Sequence, residues 1–121
     1  MEIVRREDRA SFITADGSSI RELAGIPSGN SLNQSLAEAT VPPGGATIAH
    51  LHRRSEEIYL ITDGSGRMRL GDAERPVRAG DCVVIPPGVV HKLWADRDEP
   101  LVLLCCCAPA YSHEDTVLLE E

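Results

Sequence analysis

The sequence predicts an all-β fold with little helix, either a β-sandwich or a small antiparallel barrel. Three observations lead there. The apolar segments are short and bounded by Gly, Pro and Asp, which is the pattern of strands and turns. No long stretch carries the 3.6-residue apolar spacing of a helix. Turn signals recur at regular intervals, as they do in sandwiches and barrels. The chain has 121 residues, the common size of one domain, and no linker or low-complexity block divides it. A single domain over residues 1–121 is therefore expected.

Taken in order, the first thirty residues read as one or two edge strands with a short helical turn around Ser19–Ala24. Further strands are expected at 31–41, 47–52, 58–62, 67–70, 82–85, 91–95 and 101–107, with turns at 42–45, 63–66, 71–72, 79–81, 86–88 and 96–100. Pro86 and Pro87 stiffen the approach to the His91 strand. Gly44, Gly64, Gly80 and Gly88 fall where tight turns need positive φ or a close backbone approach. Alternation over residues 67–70 points Met68 and Leu70 inward and Arg67 and Arg69 outward. From Ser112 the chain reads as an acidic strand or tail. Phe12, Tyr59, Trp94 and Tyr111 are the only aromatics, so the core is expected to be aliphatic.

Twelve Lys and Arg stand against nineteen Asp and Glu, a net charge of −7. Such a chain repels a phosphate backbone and offers few stacking platforms, so nucleic acid is not an expected partner. The longest apolar run, residues 101–110, is too short to cross a bilayer as a helix. The first eight residues carry no apolar stretch of a secretory leader. A cytoplasmic protein without a membrane partner is expected. Cys82, Cys105, Cys106 and Cys107 form no CxxC pair. Neighbours on a strand point to opposite faces, so a bridge between them would be strained. They read as small buried hydrophobes rather than as a thiolate metal site.

Residues 44–91 carry the chemistry. On a strand, His50 and His52 project to one face, one pleat apart. Glu57 follows across a short turn and shares the parity of Tyr59 and Ile61. His91 lies far downstream, behind the Pro86-Pro87-Gly88 turn, and only a closed or folded-over sheet brings it to the others. Imidazole and carboxylate ligands suit Fe, Mn, Ni, Cu, Co or Zn. Three His and one Glu leave one or two positions for water or substrate. Taken alone, the same residues also fit ordinary strand histidines.

The spacing resembles the cupin superfamily. The first cupin motif, G-x5-H-x-H-x3/4-E-x6-G, is matched by Gly44, His50, His52, Glu57 and Gly64. The second, G-x5-P-x-G-x2-H-x3-N, is matched by Gly80, Pro86, Gly88 and His91, with Ala95 in place of the final Asn. The motifs span residues 44–64 and 80–95. The resemblance implies a small antiparallel cupin β-barrel (a double-stranded β-helix or jelly roll) of roughly six to eight strands, wide at one mouth. It also implies one divalent transition metal ion, Fe, Mn, Ni, Cu, Co or Zn, held by His50, His52, Glu57 and His91. Glu56 competes with Glu57, because the motif permits the shorter gap, but only Glu57 keeps six residues before Gly64.

The resemblance further places the 31–41 strand beside the His50 strand, with the parity of Thr40 inward. Gln34 and Glu38 would then stand near the metal, Glu38 as a general base if desolvated; a solvated place at the barrel rim is its other reading. Tyr59 is either a hydrogen-bond donor to substrate or a core filler. Gln34, Glu38 and Tyr59 are the catalytic candidates. Arg53 and Arg54 either meet an anionic substrate at the mouth or lie in a solvated turn. His113 is an exposed histidine or a fifth ligand, on a segment that forms a lid or a strand given to a partner. The implied function is a metalloenzyme acting on a small polar, carboxylate- or sugar-like molecule, as a dioxygenase, isomerase or lyase; the alternative is a non-catalytic binding or sensing barrel. A homodimer is expected, since edge strands left open call for cover, with residues 117–119 contributing.

Overall fold

A computed structural model of the chain describes residues 1–119; the last two residues of the expected 111–121 tail lie outside the described residues. Among the described residues eleven strands occur: β1 (Phe12–Ile13), β2 (Ser19–Ala24), β3 (Ser35–Val41), β4 (His50–His52), β5 (Glu56–Asp63), β6 (Ser65–Leu70), β7 (Ala73–Arg78), β8 (Cys82–Ile85), β9 (His91–Ala95), β10 (Leu101–Ala108) and β11 (Thr116–Leu118). A single 3-10 turn at Arg6–Asp8 precedes them. They form a six-stranded sheet, β1-β2-β3-β10-β5-β8, and a five-stranded sheet, β11-β4-β9-β6-β7. Every pairing is antiparallel. This is the expected all-β jelly roll.

Alternation builds the core. On β5, Glu57, Tyr59 and Ile61 are buried while Glu56, Ile58 and Leu60 are exposed. Inward side chains of both sheets meet in one aliphatic cluster that includes Val41, Ile61, Ile85, Leu93, Leu101 and Leu103. Burying each such side chain is worth about 1.5–3 kcal/mol. Met68 belongs to this cluster and Leu70 packs against it, as the alternation predicts. Arg67 lies outside, over the Trp94 ring and paired with Glu74 at 2.6 Å.

The structure corrects the sequence reading in four places. Ser19–Ala24 is a strand, not a helical turn; it pairs with β3 from Ser19 opposite Thr40 to Ala24 opposite Leu36. β7 is unforeseen: it carries Pro76 and three charged residues, Glu74, Arg75 and Arg78, with Val77 alone buried, and it forms the outer edge of its sheet, where proline is tolerated. The fourth strand begins at His50 rather than residue 47, because Thr47 and Ile48 donate to Leu93 O and Asp16 O instead of to a ladder. The C-terminal segment forms a strand, one of its two expected forms, but β11 pairs within its own chain rather than being given to a partner, with Thr116 opposite His52. Of the cysteines, Cys107 is buried but Cys82 is exposed. Among the described residues no helix is long and apolar enough to cross a membrane.

Candidate metal centre

Two sheets supply one cluster. β4 presents His50 and His52 inward, and β9 sets His91 directly opposite His50 in register. Glu57 reaches across from β5 of the other sheet, the folding-over that the distant His91 requires. One nitrogen or oxygen of each of the four lies within 4.8 Å of the others, and all four are buried. Glu57 Oε1 stands 3.1 Å from His52 Nε2 and 3.3 Å from His91 Nε2. The His50 and His91 ring centroids are 4.2 Å apart. Glu56 faces solvent.

The far side of each imidazole is anchored. His50 Nδ1 lies 2.8 Å from Ile48 O, and His91 Nδ1 lies 3.1 Å from Val89 O. His52 Nδ1 lies 3.0 Å from Thr116 Oγ1, whose hydroxyl donates to Ser112 O at 2.9 Å. That hydroxyl proton is committed, so Thr116 accepts from His52. A neutral imidazole has one N–H; where it is spent on the oxygen behind the ring, Nε2 is left to face the cluster as a ligand. The three Nε2 atoms point toward one another and toward the Glu57 carboxylate. His91 Nε2 is fully buried and finds no hydrogen-bond partner.

Charge balance sharpens this. Burial, and then the neighbouring His91, pushes the His50 imidazole down and favours its neutral form. Burial alone would push the Glu57 carboxyl up, but contact with His52 and His91 outweighs it and brings Glu57 to about 2. Glu57 Oε2 accepts from the Cys107 thiol at 3.2 Å. Burial and then the Glu57 charge push the Cys107 and Cys105 thiols up, so both stay protonated. The donor set suits a divalent transition metal: three imidazoles anchored from behind, one ionised carboxylate, and an orphaned nitrogen, His91 Nε2, within the cluster.

The other candidates fall elsewhere. Tyr59 is buried, on Glu57's side of β5, and lines the cavity beside the cluster. Gln34 is exposed. Glu38 faces away from the cavity, paired with Arg6 at 2.8 Å. The expected parity of this strand is therefore reversed: Ser35, Ala37, Ala39 and Val41 face the cavity. β3 also lies between β2 and β10, not beside β4. Small inward residues make the room that Gln34 and Glu38 would have filled. Arg53 and Arg54 lie exposed in a turn and hold the C-terminal segment through Glu114 O and the Asp115 carboxylate. His113 is exposed, with Nδ1 3.1 Å from the Tyr111 hydroxyl.

Three residues of the site escape a sequence reading: Asp16, Thr116 and Cys107. Asp16 Oδ2 stands 3.9 Å from His50 Nε2. Each reaches the site through tertiary pairing, and none belongs to a local motif.

The cupin-domain family profile matches residues 37–107. The chain is 47% identical over 122 residues to an uncharacterised protein of Methanocaldococcus jannaschii, covering 99% of this chain and 98% of that one. It is 35% identical over 88 residues to oxalate oxidase 1 of Hordeum vulgare, covering 64% of this chain but 44% of the barley protein. In fold it matches the Streptomyces nucleoside dehydratase Pac13 with a TM-score of 0.79 at 17% identity, over 99% of this chain and 92% of that one. The two motifs, the jelly roll and the matched profile agree: the chain belongs to the cupin family.

Proposed function

We propose that His50, His52, Glu57 and His91 hold one divalent transition metal ion, and that the protein is a metalloenzyme acting on a small polar molecule. The observation that carries this is the convergence of three imidazoles on one buried, ionised carboxylate. A cation in their midst would take one atom from each of the four as a ligand. When bound, the ion supplies Lewis-acid chemistry and, if redox-active, dioxygen chemistry. The chain's own residues do the rest. Ile48 O, Val89 O and Thr116 fix the imidazole tautomers, Cys107 orients Glu57, and the apolar wall beside Tyr59 keeps bulk water out. Relatives named for oxalate oxidation and nucleoside dehydration are consistent with turnover of a dioxygenase, isomerase or lyase type.

Elemental analysis of tag-free protein purified without chelator, with His50→Ala as control, tests the reading. About one equivalent of Fe, Mn, Ni, Cu, Co or Zn in the wild type and little in the variant is expected. Protein that arrives metal-free and refuses added metal overturns it.

Two further outcomes are expected. Thr116→Val removes the acceptor behind His52 and should weaken metal affinity roughly tenfold or more, while Glu56→Gln, on the solvent side, leaves it unchanged; competition against a chromogenic chelator reads both. The second concerns a homodimer. Leu36, Cys106, Ile58 and Val84 lie side by side on the outer face of the six-stranded sheet, with Leu36, Ile58, Leu60 and Val84 between 36% and 52% exposed. On a chain of net charge −7, an apolar patch such as this is where a second copy docks with the least like-charge repulsion. Ile58→Asp should shift light-scattering mass from dimer to monomer with metal content intact; a wild-type monomer overturns this.

A further inference from the structure

A cavity of about 180 Å³ opens beside the metal cluster and reaches it through His50 and Glu57. Its walls are mostly aliphatic, with Ile20, Ala37, Val41, Leu93 and Leu103 among them, and exposed Phe12 and Pro27 stand at its rim. Among the described lining residues there is no Lys or Arg, but there are three carboxylates: Asp16, Glu22 and Glu57. Sites that select a carboxylate dianion present cations, arginine above all, because nothing else repays the loss of the anion's hydration.

Asp16 is held in place by its neighbours. The turn between β1 and β2 closes through Thr14 N to Ser18 O at 2.9 Å and Gly17 N to Thr14 O at 3.0 Å. Asp16 Oδ1 accepts from Ser18 N at 2.9 Å and Ser18 Oγ at 2.6 Å. The other oxygen, Oδ2, remains for the cluster, 3.9 Å from His50 Nε2. Ile48 ties the two together: its N–H donates to Asp16 O at 2.7 Å, and its carbonyl accepts from His50 Nδ1 at 2.8 Å. The Asp16 backbone and the His50 ring thus share one backbone anchor.

We infer that Asp16 Oδ2 accepts a hydrogen bond from the molecule bound in the cavity, so that the site selects an uncharged, hydroxyl-bearing substrate with an apolar body over a carboxylate dianion such as oxalate. This rests on the metal reading above and adds the charge class of the substrate. A hydroxyl donates to Asp16 and its carbon skeleton fills the aliphatic wall, whereas the two charges of a divalent ion are already met by Asp16 and Glu57, so an oxalate dianion would bring two further negative charges with no Lys or Arg among the described lining residues to pair with them. The barley relative's substrate by name is then the wrong charge for this cavity.

The test uses zinc-loaded wild-type protein and Asp16→Asn, with zinc content measured first and binding of catechol and of oxalate followed by calorimetry. In the wild type, catechol should bind at least tenfold more tightly than oxalate. In Asp16→Asn, oxalate should gain at least tenfold and catechol should weaken. A merely structural role for Asp16 would weaken both. Wild-type protein that binds oxalate as tightly as catechol overturns the inference, with or without a folded variant. So does an Asp16→Asn protein in which oxalate gains nothing. Zinc absent from wild-type protein overturns the metal reading itself, a result the zinc measurement separates from the other two.

Discussion

His50→Ala and His91→Ala are each expected to abolish stoichiometric metal binding while leaving a folded barrel. Removing an outer partner of a ligand costs roughly 10–100-fold in affinity, and removing the ligand costs more. The fold has little reason to follow. The aliphatic cluster of Val41, Ile61, Ile85, Leu93, Leu101 and Leu103 includes none of the three imidazoles. Metal content by mass spectrometry and thermal melting by circular dichroism read the two effects separately. Stoichiometric metal in both variants would sink the ligand assignment.

The pH dependence has a defined sign. Glu57 in the folded protein sits at about 2, below its ordinary 4.5. A carboxyl depressed by folding stabilises the fold above its unfolded value, and that contribution is lost as pH falls through the folded one. The stability advantage of metal-free wild type over Glu57→Gln should therefore be level above about pH 4.5 and decline toward pH 2. Urea melts at pH 6, 4 and 2.5 would read it. An advantage that grows with acid contradicts the assigned ionisation.

Much of this was legible in advance, for reasons that differ by residue. His50, His52 and Glu57 are local: strand parity and one short turn relate them, and the spacing to Gly64 chooses Glu57 over Glu56. His91 followed from the second motif. Thr116 touches His52 across 64 residues of sequence and Cys107 touches Glu57 across 50, contacts that only the sheet topology creates. Asp16 depends on a hairpin whose second strand read as a helical turn. Glu38 shows how a single error of parity propagates. On β3, Ser35, Ala37, Ala39 and Val41 face the cavity, so every residue placed inward by the opposite parity points out. Alanines at a core position look like weak strand residues in a sequence. In the structure they are the space in which a ligand fits.

The second large effect concerns the barrel rather than the ion. Gly66→Ala is expected to destabilise the protein by about 3 kcal/mol or more, read as a fall in Tm of roughly 10 °C or more. Gly66 sits inside β6, opposite Ala95 of β9 and Val77 of β7. A methyl there would collide with the Trp94 carbonyl oxygen and press on the Ala95 Cα at 3.3 Å. Both are backbone atoms, so no side chain can swing away, and relief requires β6 and β9 to part. β9 also carries His91 and holds it opposite His50. Any separation that survives folding would therefore loosen the metal cluster from behind. By contrast, a Cβ added at Gly44 or Gly80 meets nothing within 4 Å, and those positions are constrained by φ alone, at 71° and 96°. Gly80→Ala should accordingly cost less than Gly66→Ala, about 1–2 kcal/mol for an L-residue held in a left-handed turn. Parallel melts of the two variants decide it. The reverse ranking would mean that β6 and β9 are free to slide, and a register that slides cannot hold His91 opposite His50.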